Sequence, residues 1–179
     1  MPFDRTFFIT TVTWRRTPLF RHTQPAELMV DVLEHYREQK KYALHEFVIM
    51  PDHLHLLLTP AADISLERAV QLIKGGFSYR IGKDMSANAK RGLVWQESFT
   101  NHRIRDEQDY KHHAEYIRMN PVGARLAGTP ELYPYSSAAC GTAAGPSHGG
   151  LISTPGLHVR ELPGFTWKSG HLWPRCVSM

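Results

Sequence analysis

Two stretches of this chain place chemistry-bearing side chains at spacings that let them act together. The first is His53-Leu54-His55, within the apolar run 48–60. A strand sends alternate side chains to opposite faces, so both imidazoles point one way while Leu54, Leu56 and Leu58 point into a core. Two imidazoles on an apolar strand make half of a metal site. Two exposed strand histidines would look the same, and the pair alone leaves both readings open. The second stretch is 106–122. At 100° per residue, Asp109, His113, Tyr116 and Asn120 share one flank of a helix, beside an apolar stripe of Tyr110, Ala114 and Ile117. A phenol and a carboxamide one turn apart can address one point. The carboxamide oxygen is a hard ligand that would complete a His-His-O set suited to Mg²⁺ or Mn²⁺. A half-exposed boundary face accounts for the same residues, and Asn120 before Pro121 also suits a cap for 122–126.

The elements that must position these groups are legible in outline. Residues 5–14, rich in Phe, Ile, Val and Thr, predict a first strand. Pro25 then opens a helix with Leu28, Val32 and Tyr36 at helical spacing, fading near Lys40-Lys41. Residues 42–50 predict a second strand, and Pro51-Asp52 a tight turn into the histidine strand. Ser65 caps a second helix, with Leu66, Val70, Ile73, Phe77 and Ile81 on one face. Gly75-Gly76 inside it is either a tolerated kink or a place where a phosphate backbone approaches, beside Lys74 and Arg80. Residues 93–104 hold further short strand character, around Val94-Trp95 and Phe99. Asp106 caps a third helix, which runs to about Met119. The first six elements follow the split β-α-β, ferredoxin-like plan. The expected class is therefore α+β, an antiparallel sheet with packed helices.

Bulk composition bounds the rest. A chain of 179 residues suits one domain, and its 42% hydrophobic and 21% charged content is that of an ordinary globular protein. Lys+Arg 21 against Asp+Glu 17 gives +4, a mild basic excess compatible with a nucleic-acid partner. The N-terminus lacks the pattern of a signal peptide and no apolar run reaches membrane-spanning length, so a cytoplasmic protein without membrane association is expected. Cys140 and Cys176 read as free thiols. Beyond residue 138 the composition shifts to Gly and Pro, with Glu161 the only acid. This divides the chain into a catalytic unit, 1–138, and an irregular extension, 139–179, partly mobile and partly docked through Phe165, Trp167, Leu172 and Trp173.

Five motifs in register carry a resemblance: Val48-Ile-Met-Pro-Asp-His-Leu-His55, Trp95-Gln-x-x-Phe99, Ile104-Arg-Asp106, Tyr116-Ile-x-x-Asn120-Pro-Val122 and Tyr133-Pro-Tyr-Ser-Ser137. Together, over about residues 3–138, the chain resembles the REP-associated tyrosine transposases, relatives of the IS200/IS605-type transposases among the HUH single-strand endonucleases. Asp52 replaces a common Asn, Tyr135 a common Trp, and residues 123–126 depart from the usual ending. The resemblance implies that His53, His55 and Asn120 hold Mg²⁺ or Mn²⁺, and that Tyr116 is the nucleophile. It further implies cleavage and rejoining of single-stranded DNA carrying REP-type hairpins, through a 5′-phosphotyrosine, by a monomer or homodimer. His113 is a candidate auxiliary group. Lys74, Arg80, Arg103 and Arg105 are candidate phosphate contacts or solvated surface charges, and Trp95 a candidate stacking platform or a core aromatic. A non-cleaving module that binds hairpin nucleic acid is the alternative from a different class.

Overall fold

A computed structural model of the protein describes residues 4–84 and 93–141. The 86–92 loop, Cys176 and the proposed docking residues of the extension lie outside the described residues. The order is β1 (Phe7–Val12), α1 (Thr23–Glu38), β2 (Tyr42–Met50), β3 (His53–Pro60), α2 (Leu66–Asp84), β4 (Thr100–Arg103), α3 (Glu107–Gly123) and α4 (Ser137–Gly141). The four strands form one antiparallel sheet in the order β2-β3-β1-β4. This is the α+β, ferredoxin-like plan expected, with the histidine strand hydrogen-bonded on both sides.

Alternation along the strands divides the interior into two cores. Leu54, Leu56 and Leu58 of β3, with Ile9, Phe47 and Ile49, face α1 and α2 and pack on Met29, Leu33, Ile73 and Phe77. Each fully buried leucine contributes about 2 kcal/mol by removal from water. On the opposite face Val48, Met50 and Leu57 pack beneath Ala114 and Ile117 of α3. His53 and His55 share that second face, so α3 is the helix that closes over them. Helices α1 and α2 approach closely at Gly76, where a β-carbon would lie 2.7 Å from the Tyr36 ring, whereas Gly75 faces open space. Helix packing therefore accounts for the second of the paired glycines.

Two local expectations need correction. Helix α3 does not stop at Met119 but continues through Pro121 to Gly123. Proline withholds one N–H, from the carbonyl of Ile117, and its buried ring keeps the last turn packed. Asn120 is accordingly a helical residue whose carbonyl accepts from Ala124 N–H at 3.0 Å, and it caps no later helix. The fourth strand lies at Thr100–Arg103, not around Val94-Trp95; Trp95 makes only an isolated bridge to Thr13. The boundary drawn at residue 138 falls inside α4. There Ser137 Oγ bonds to Glu46, and the preceding segment covers the outer edge of β2 through Ile49 N–H to Tyr135 O, 2.8 Å.

Candidate active site

The two-residue turn Pro51-Asp52 folds β3 back on β2 and brings His53 and His55 onto the α3 face, their ring centroids 4.8 Å apart. In the β1–β3 ladder Thr10 stands opposite His55 and Val12 opposite His53. Thr10 Oγ1 lies 2.8 Å from His55 Nδ1, and Asp52 Oδ1 lies 2.6 Å from His53 Nδ1. Each Nδ1 is thus engaged by its own partner. Among the described residues the Nε2 of neither ring takes a hydrogen bond. This arrangement, one ring nitrogen held by an oxygen and the other left open, is how proteins prepare metal-ligating histidines. Burial, with the neighbouring His53 adding to it, pushes His55 down to about 4. It is therefore a neutral imidazole, the form that coordinates. Desolvation alone would raise the Asp52 carboxyl, but hydrogen bonds from His53 and Arg16 outweigh it and hold the group below its ordinary range.

Tyr116 reaches this pair from α3. Its ring centroid is 5.3 Å from that of His55, and Phe8 packs edge-on against it at 5.8 Å while stacking on His55 at 5.4 Å. The tyrosine is 46% exposed, and among the described residues its hydroxyl takes no hydrogen bond. One turn on, half-buried Asn120 has a carboxamide with no hydrogen-bond partner among the described residues, so its oxygen is available. The donor set of two imidazoles and one amide oxygen fits a divalent cation of the Mg²⁺ or Mn²⁺ type.

The other predicted residues are distributed unevenly. His113 does not meet Tyr116 directly: Phe8 touches both, at 4.7 Å from His113. The His113 Nδ1 bonds to the Asp109 carbonyl at 2.8 Å and faces its Oδ1 at 3.1 Å. Lys74 Nζ, partly buried, donates to the carbonyls of Gln96 (2.6 Å) and Glu97, and desolvation lowers its pKa. It tethers α2 to the segment before β4, which engages two of its three N–H groups. Trp95 is 7% exposed, packed against Phe20 and Phe77, with its indole N–H on Lys74 O. Its faces are covered, which removes it as a stacking platform. Arg103 pairs with Asp4, and Arg105 lies 3.4 Å from Asp109 on an exposed stem. Arg80 is partly exposed on α2.

Sequence reasoning placed Asp109 beside His113 but missed its fastening role, and missed His102 and Glu46. Asp109 gathers His102 Nε2 at 2.8 Å and His113, and the two imidazoles stack at 4.7 Å. Three candidate ligand atoms there lie within 4.8 Å of one another, in a cluster separate from His53 and His55. Desolvation works to raise Asp109, yet hydrogen bonds from His102 and Arg105 carry it to about 2, so it is a carboxylate fastening α3 to β4. The i, i+4 spacing of Asp109 and His113 was a readable signal; the contribution of His102 depended on where β4 fell. Glu46, 6% exposed, pairs with Arg118 and Ser137 and fastens α3 to β2.

Comparison with known proteins gives the family. Residues 4–120 match the family model described as "Transposase IS200 like". A REP-associated tyrosine transposase of Escherichia coli (strain K12) is 26% identical over 132 residues, spanning 73% of this chain and 74% of that protein. A Haemophilus influenzae protein provisionally given the same name is 27% identical over 145 residues, 73% of this chain and 78% of that one. The fold resembles a solved REP-associated tyrosine transposase bound to a REP hairpin, with TM-score 0.64 and 24% identity over 84% of this chain and 89% of that one. The family match covers the whole of the sheet, the histidine pair and α3 as far as Asn120, and by it the chain belongs to the IS200-like transposases.

Proposed function

We propose that the protein is a divalent-metal-dependent endonuclease and strand transferase for single-stranded DNA, acting on REP-type hairpins through a 5′-phosphotyrosine. The observation that carries the reading is the juxtaposition of Tyr116 with the histidine pair, 5.3 Å between the Tyr116 and His55 ring centroids. His53, His55 and Asn120 would hold Mg²⁺ or Mn²⁺. When bound, such an ion supplies Lewis-acid charge neutralisation at the scissile phosphate. The Tyr116 hydroxyl attacks phosphorus, its oxygen–phosphorus bond forms as the bond to the 3′ oxygen breaks, and a 3′-OH is released. An ordinary phenol has a pKa of about 10, so the proton must depart as attack proceeds. A half-exposed phenol can pass it to solvent. The phosphotyrosine conserves the energy of the cleaved diester, so a second 3′-OH can reverse the step and join a new strand.

The chain's other residues have distinct parts in this reading. Phe8 and the Asp109–His113 pair position α3 and its nucleophile. Arg80, Arg103 and Arg105 are the candidates for phosphate contact that reach the surface. The catalytic unit is taken as 1–138. A hairpin-bound relative supports hairpin DNA as the substrate class.

The test is adduct formation. Purified protein with Mn²⁺ or Mg²⁺ and a labelled REP-like hairpin oligonucleotide should yield a covalent species stable to denaturing electrophoresis. Tyr116→Phe should abolish it and leave hairpin binding intact. An adduct surviving in Tyr116→Phe sinks the nucleophile assignment. Hairpin binding without cleavage under any divalent ion would make the protein a binding module.

A further inference from the structure

Two consecutive arginines in the turn after β1 hold a backbone conformation that L side chains disfavour. Arg15 has φ 52° and ψ 27°, and Arg16 has φ 54°. The other such residues among those described, Lys40 and Arg125, directly follow the ends of α1 and α3, where a left-handed residue is an ordinary helix ending. Arg15 and Arg16 have no helix before them. Residues in this region persist where their surroundings over-determine them, and they concentrate at ligand sites.

The surroundings here are specific. Thr13 Oγ1 bonds to the carbonyls of Thr17 (2.7 Å) and Asp52 (2.8 Å), and Thr13 N–H donates to Asp52 O at 2.9 Å. Trp14 N–H donates to Val94 O at 2.8 Å. The turn is thereby fastened to the β2–β3 turn on one side and to the segment before β4 on the other. Both arginines are exposed on this turn, and Arg16 is joined to His53 through Asp52. Arg16, 66% exposed, sits 3.1 Å from Asp52 Oδ2, and the other oxygen of that carboxylate holds His53. The guanidinium of Arg15 lies 5.7 Å from the centroid of the Trp14 ring, which orients it by cation–π attraction.

We infer that the Trp14–Arg16 turn is a phosphate clamp that grips the backbone of a single nucleic-acid strand beside His53. A planar guanidinium matches a phosphodiester with two parallel hydrogen bonds, and two arginines on a strained, fastened turn present such forks with little freedom to lose on binding. Side chains merely solvating a surface would need no left-handed backbone. The strand's identity as DNA rests on the proposed function; the clamp is read by binding alone.

The experiment uses the full chain, a fluorescein-labelled oligothymidylate and fluorescence anisotropy across a salt series, with chelator present so that no cleavage is read. The variant is Arg15→Gly combined with Arg16→Gly, because glycine accepts the backbone conformation while removing both forks. Wild type should bind the strand, and the variant should bind on the order of tenfold more weakly or worse, with a salt slope smaller by about 1 to 2. Its thermal midpoint should not fall. Wild-type affinity in the variant, or no binding by wild type, overturns the clamp. Neither outcome touches the cleavage reading, since the probe has no hairpin and no metal is present. A protein that grips the strand through these arginines yet never forms the Tyr116 adduct would sink only that reading.

Discussion

Thr10 and His55 face one another across the β1–β3 ladder, and the threonine hydroxyl holds the imidazole Nδ1 at 2.8 Å. The bond selects which ring nitrogen is left open. Thr10→Val keeps the shape and the strand but removes the oxygen. Mn²⁺ affinity, measured by titration calorimetry, is expected to fall by about 10- to 100-fold with the thermal midpoint little changed. Unaltered affinity would mean that the ring needs no such partner.

Acid should weaken the metal-free fold through His55. Its pKa falls to about 4 in the folded chain from the 6.5 of an ordinary histidine. Between those values the unfolded chain binds a proton that the folded chain does not, so stability rises with pH across the window and is lost as pH falls. At about 1.4 kcal/mol per pKa unit, the loss approaches about 3 kcal/mol at the acid end. Urea melts with chelator present should show this slope in wild type and a flatter one in His55→Gln. Parallel slopes would assign the acid sensitivity to other groups.

Arg118 fastens α3, and with it Tyr116, to Glu46 on β2. Arg118→Met leaves a buried carboxylate with Ser137 as its remaining partner. Because the arginine is half exposed, a destabilisation of about 1–3 kcal/mol is expected in urea melts, below the range for fully buried pairs. Adduct formation should slow as well, although Arg118 takes no part in the chemistry. An unchanged rate would show that the pair holds the fold without positioning the nucleophile.

The paired glycines of α2 should respond in opposite directions. Gly75→Ala enters open space and gains helix propensity, about 0.5–1 kcal/mol. Gly76→Ala pushes a β-carbon into the Tyr36 ring and should cost about 1 kcal/mol or more despite the same propensity gain. Thermal melts of the two variants check this directly, and equal effects would contradict the close helix approach.

The parts of this architecture readable from sequence were those set by local periodicity. Alternation put His53 and His55 on one face and Leu54, Leu56 and Leu58 on the other, and Asp106 capped α3 through Asp109 N–H as its residue type suggested. The end of α3 was misread because a proline normally marks a boundary, whereas burial of Pro121 outweighs one lost hydrogen bond. Trp95 read equally as a stacking platform or a core residue, because nothing local revealed that Phe20 and Phe77 converge on it. Thr10, Phe8 and His102 joined the site only through strand register, a long-range property that no window of sequence contains.

The histidine strand is an interior strand, laddered to β1 on one side and β2 on the other. Its amides can exchange with solvent only when two ladders part, which in a single sheet of this size approaches global unfolding. The slowest deuterium uptake in the chain should therefore fall on β3. The backbone that carries the imidazole pair is in this way guarded by the same free energy as the native state itself.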